Sequence, residues 1–159
     1  MKQELERYLN DHLAGASGAL LLIQHLIDTM EESEARDFLA DLKVSVQADR
    51  ELLQQLLTDA GMEPSTVLKV AGRITARFGL MKLMWEGLEP GMLGRFEAFE
   101  MLALGVQGKT LLWRALREIA SCYREWGTHD FARLEQKAIE QRDGIERWRI
   151  EAARDSLSR

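Results

Sequence analysis

Apolar residues recur at spacings of three and four along most of this chain, in four long stretches separated by short polar or glycine-containing breaks. Over residues 2–30, Leu9, Leu13, Ala16, Leu20, Ile23, Ile27 and Met30 fall on one face of a helix. The acidic run 31–34 interrupts that pattern, and Ser33 within it is placed to cap a second helix that extends to about residue 60. Phe38, Leu42, Val46, Leu53 and Leu56 form the stripe of this second helix, and Asp49 interrupts the stripe on the same face. Gly61 suits the left-handed position after a helix, and Pro64 follows where the helix can no longer continue. So short a break between long helices makes the first two antiparallel neighbours.

A shorter pattern over residues 65–86 lies between the only two prolines, Pro64 and Pro90. Val67, Ala71, Ile74, Phe78, Met81 and Trp85 form its apolar stripe, and Lys69, Arg73 and Arg77 form a basic outer row that reads as a solvated face. A glycine-rich turn over 87–94 follows, then the longest helical signal, 92–126, which stops at Gly127. Thr128 or Asp130 caps a last helix over 130–157, with Phe131, Leu134, Ala138, Ile145, Trp148 and Ala152 inward. Alternating strand patterns are nearly absent. The reading is one all-α domain over residues 1–159, long enough to bury a core without disulfides or metal staples.

The longest helix carries two anomalies. Glu97 and Glu100 stand among Phe96, Phe99 and Leu104, where apolar groups are expected. Gly105 and Gly108 then stand one turn apart in mid-helix, as Gly15 and Gly18 do in the first helix. Each costs about 1 kcal/mol against alanine there. The expectation is that they let backbones approach closely; opening a ligand cavity is the alternative.

Charge and composition narrow the function classes. A net charge of −5 and a pI near 5.3 argue against nucleic acid as a partner. The apolar run 19–23 is too short to span a bilayer, and residues 1–13 are too acidic for a signal peptide. The single cysteine, Cys122, reads as a small buried hydrophobe, in keeping with a reduced, cytoplasmic compartment. Ser17 and Ser121 have no visible base partner, and no phosphate loop, zinc spacing or nucleotide fingerprint is present. Trp85, Trp113, Trp126 and Trp148 read as core or interface residues. Leu21, Leu22 and Leu26 add apolar surface beyond the main stripe of the first helix, and this surplus predicts a symmetric homodimer.

Two antiparallel hairpins of long helices, joined by a connection with its own helix, resemble the ferritin-like superfamily, a four-helix bundle with one long helical crossover between the second and third long helices. The likeness is nearest to bacterial stress-associated members. LNDHLAG in the first helix and FEAFEMLALG in the third look like degraded versions of that branch's motifs. The resemblance implies parallel second and third helices and, in members that oxidise iron, a glutamate from each of two helices with Glu-x-x-His from each of the others.

The sequence departs from that ligand pattern. None of His12, His25 and His129 stands three residues after a glutamate, and Ala16 and Leu20 occupy the inward positions of the first helix. Asp49 stands alone on the second and Gln141 on the fourth; only Glu97 and Glu100 look retained. The expectation is therefore a non-enzymatic, cofactor-free protein of binding or assembly, homo-oligomeric and linked through the resemblance to stress response. An oxidase or iron-storage protein, holding iron or another divalent metal at Glu97, Glu100, Asp49 and His12, is the first alternative. A pocket for a small apolar ligand is the second. Counted from the loop near Glu32, His12 and Asp49 lie at similar heights, offset by ~4–5 Å. A buried carboxylate needs a donor, so a His12–Asp49 hydrogen bond is expected.

Overall fold

The computed structural model describes residues 2–65 and 92–158. Their regular structure is all helical: α1 (Lys2–Thr29), α2 (Glu34–Asp59), α3 (Met92–Ile119), two 3-10 turns (Ala120–Cys122 and Arg124–Trp126) and α4 (Phe131–Leu157). The helix expected over residues 65–86, with Ile74, Phe78 and Trp85, lies outside the described residues. No described helix is long and apolar enough to cross a membrane.

The helix ends follow from local chemistry. Ser33 Oγ accepts from Arg36 N at 3.3 Å, and the Asp130 carboxylate accepts from Arg133 N at 2.9 Å; each satisfies an amide that the first turn leaves open. Gly61 takes φ 63° after α2, where a side chain would be strained. Beyond it, Asn10 of α1 donates to the Glu63 carbonyl and accepts from Ser65 N, so the end of the first hairpin is tied back to its start.

The third helix ends at Ile119 and does not reach Trp126. The chain tightens into two 3-10 turns that swing the Trp126 indole under the bundle. Trp126 is fully buried, its Nε1 donates to the Leu56 carbonyl at 3.0 Å, and its ring stacks on Tyr123. A continuous helix would have carried that ring along the axis and away from the core. The same turns leave Cys122 exposed, contrary to the buried position expected for it.

Two apolar clusters fill the bundle, one at each end. The first gathers Ile23 and Leu26 of α1, Leu39 and Leu42 of α2, Phe99 and Leu102 of α3, and Ile145 and Trp148 of α4. The second gathers Leu9 and Leu13, Leu53 and Leu56, Trp113 and Leu116, and Phe131 and Ala138. The late part of α1 thus meets the early parts of α2 and α3 and the late part of α4. It follows that α1 and α4 point one way and α2 and α3 the other. Asp59 and Met92 therefore sit at opposite ends of the bundle. Leu22 and Leu26 are core residues of the first cluster, not surplus; of the three extra leucines only Leu21 is left out, 59% exposed.

Candidate functional site

Between the two clusters the core is incomplete. A cavity of about 120 Å3 lies among α1, α2 and α3, with Ala16, Ala19, Val46, Leu53, Leu102 and Val106 in its wall. Gly15 and Gly105 line it from facing helices, and a Cβ on either would meet no atom within 4 Å. Neither glycine serves close backbone packing, as had been expected; the same holds for Gly108. Gly15 and Gly105 are exposed residues of the cavity's lining. The glycine that packing requires is Gly144 of α4, where a Cβ would come within 2.5 Å of Phe38 Cε2.

One side of the cavity is polar. Asp49 and Lys109 both line it, and Lys109 Nζ lies 2.7 Å from Asp49 Oδ2, with side chains 13% and 9% exposed respectively. Lys109 also donates to Gln141 Oε1, so one ammonium ties α3 to α2 and α4 midway along the bundle. Burial pushes the Lys109 pKa below its usual value, against the pull of the Asp49 carboxylate. Trp113, 1% exposed, closes another part of the wall, and no acceptor among the described residues reaches its buried Nε1. At the α1–α2 side Arg50, another lining residue, donates from Nε to Ser17 Oγ at 3.1 Å.

The residues singled out in the sequence do not form one site. Asp49 is buried as its position in the stripe implied, but the donor on its carboxylate is Lys109, where His12 had been expected. His12 is half-buried, lines the same cavity and stands edge-on to Tyr8 with ring centroids 4.7 Å apart. Glu97 and Glu100 lie on the exposed side of α3, because Ala98, Phe99 and Leu102 take the inward positions. Glu100 faces Arg149 at 3.5 Å. The described residues hold no group of three or more His, Cys, Asp or Glu side chains able to converge on a metal ion. The core carboxylate is already neutralised by an ammonium, so this donor set does not fit a two-metal centre.

Lys109 was missed although its signal was present. It continues the inward row Leu102, Val106, Trp113 and Leu116, so a lysine there has to find an acid across the core. A second buried carboxylate, Glu135 of α4, was also missed. Arg114 Nε donates to its Oε1 at 2.7 Å; Arg117 Nη1 is 2.9 Å from Oε2, an ion pair without hydrogen-bond alignment. That cluster fastens α4 to α3 away from the cavity.

Fold and site together define an all-helical bundle with an apolar cavity and a buried ion pair beside it. No protein-family model matches the chain, no curated protein matches it, and no solved structure matches it.

Proposed function

We propose that this chain is a small-molecule binding protein, a bundle of ferritin-like topology whose interior holds a ligand cavity in place of a metal centre. The observation that carries the reading is the cavity itself, open between two glycines that make no packing contact in return for their cost to the helices. An unfilled apolar space of this size is destabilising, so its upkeep calls for an occupant. The opposed directions of α1 and α2, and of α3 and α4, support the ferritin-like part of the proposal, as does the shared direction of α2 and α3.

The test is thermal unfolding with and without a small hydrocarbon such as benzene. A ligand that binds only the folded state raises the melting temperature in proportion to its occupancy. Gly105→Leu should keep the fold, since open space surrounds that position, and should abolish the shift by filling the opening. Equal shifts in both proteins, or none in the wild type, would rule the reading out.

Homo-oligomeric assembly is a second reading, favoured by one observation. Leu104 and Leu111 stand two turns apart on one face of α3, both strongly exposed.

A further inference from the structure

The outer side of α3 carries a second apolar row, turned away from the bundle. Met101, Leu104, Gly108, Leu111 and Ala115 recur at alternating spacings of three and four, the pattern of a seam along which one helix packs on another. Leu104 is 71% exposed and Leu111 50%, while Met101, Gly108 and Ala115 are half-buried beside them. The row holds no charge until Glu97 and Glu118 close it at its two ends. Gly108 stands at its middle. It lies outside the cavity's lining, and a Cβ there would meet no atom within 4 Å, so neither the cavity nor packing within the chain accounts for it. A glycine on a seam admits a second backbone, or a large side chain carried by one, at close range.

Charge selects what lies against the seam and in which direction. Glu100, Gln107 and Arg114 follow one another at every seventh position and flank the row on one side. Glu100 and Arg114 are half-exposed, the first 3.5 Å from Arg149 and the second bonded through Nε to Glu135. Laid antiparallel on a second copy, this flank meets itself reversed. Each Glu100 then lies over the partner's Arg114, and Gln107 over the partner's Gln107. A parallel pairing sets the flank against Ala98, Gly105 and Leu112, which offer no charge. The row is thus complementary to itself in one direction only, as a two-fold interface requires. With the ion pairs matched, Leu104 falls against the partner's Gly108, and Met101 against the partner's Leu111.

We infer that a second copy of this chain docks antiparallel on α3 along Met101, Leu104, Gly108 and Leu111, joined by two Glu100–Arg114 ion pairs; this rests on the assembly reading above. One helix from each copy makes a small interface, so the dimer is a weak one. Sedimentation velocity of the wild type from micromolar to millimolar concentration should show monomer passing to dimer. Gly108→Gln, which meets open space in the monomer, should raise the dimer dissociation constant about tenfold or more while the circular dichroism stays unchanged. Disulfides in the Cys122→Ser background read the register, with Met101→Cys and Leu111→Cys proteins mixed in equal amounts at a concentration that dimerises. The antiparallel seam should form the mixed disulfide in excess over both homodimeric ones, which intact mass separates. A dimer with an excess of either homodimeric disulfide, with no disulfide, or with a dissociation constant indifferent to Gly108→Gln would overturn the inference and leave assembly standing. A wild type that stays monomeric at millimolar concentration removes the assembly reading and the inference with it.

Discussion

Asp49 and Lys109 show how one residue's role depends on a partner sixty positions away. Lys109→Met leaves the carboxylate without its cation in a nearly buried site, a change that costs about 3–5 kcal/mol in comparable pairs. Replacing both, as Asp49→Leu with Lys109→Met, should cost less than either single change, because no uncompensated charge remains. Urea denaturation of the four proteins of that cycle measures the coupling. The lysine also has a pH signature. Its folded-state pKa lies below the usual 10.5, so between the two values the unfolded chain holds more protons at this residue than the folded one. Its contribution to stability therefore rises with pH across that window. Lys109→Met should remove this rise, and a wild-type minus variant difference that stays flat over the window would contradict it.

At the scale of elements, the glycines fall into two groups with opposite expected responses. Gly144→Ala forces a methyl into the Phe38 ring and should destabilise the protein by about 1–3 kcal/mol, with Phe38→Leu restoring most of the loss. Gly105→Ala meets open space on a helix interior and should stabilise by about 0.5–1 kcal/mol. Denaturant midpoints of the three variants check both signs. Asp130→Ala removes the cap of α4 and should cost about 1 kcal/mol. The helices themselves were legible from apolar spacing and end chemistry. The ends marked by Ser33, Gly61 and Asp130 lie where those residues imply, because a cap is made within a few residues of chain, and α1 stops at Thr29, one residue short of the expected Met30. The end of α3 was not legible. Its sequence suits a helix beyond Ile119, and only the Trp126 bond to Leu56 of another helix, with burial of that indole, explains the turn.

For the whole molecule, the dimer expected from α1 loses most of its basis once Leu22 and Leu26 are found in the core. The exposed apolar residues that remain are spread over the helices, with Leu104 and Leu111 paired on α3. If that face associates, Leu104→Glu together with Leu111→Glu should convert a dimer to a monomer in light scattering while leaving the helical circular dichroism unchanged. A wild-type protein that scatters as a monomer at micromolar and higher concentrations would dispose of the assembly reading.

The sequence by itself determined that helices form over the described stretches, which face of α2 and of α4 turns inward, and that Asp49 is a buried carboxylate. Those properties follow from periodicity and from groups within one turn of each other. Only the tertiary structure decided that Lys109 answers Asp49, that Gly144 and not Gly105 permits close packing, and that Glu97 and Glu100 face out. Each of these depends on how one helix is rotated and raised against another, and a shift of a single residue in that register exchanges one neighbour for the next. The cavity belongs to the same class. It is a volume that side chains from three helices fail to fill, and no stretch of one helix carries a record of it.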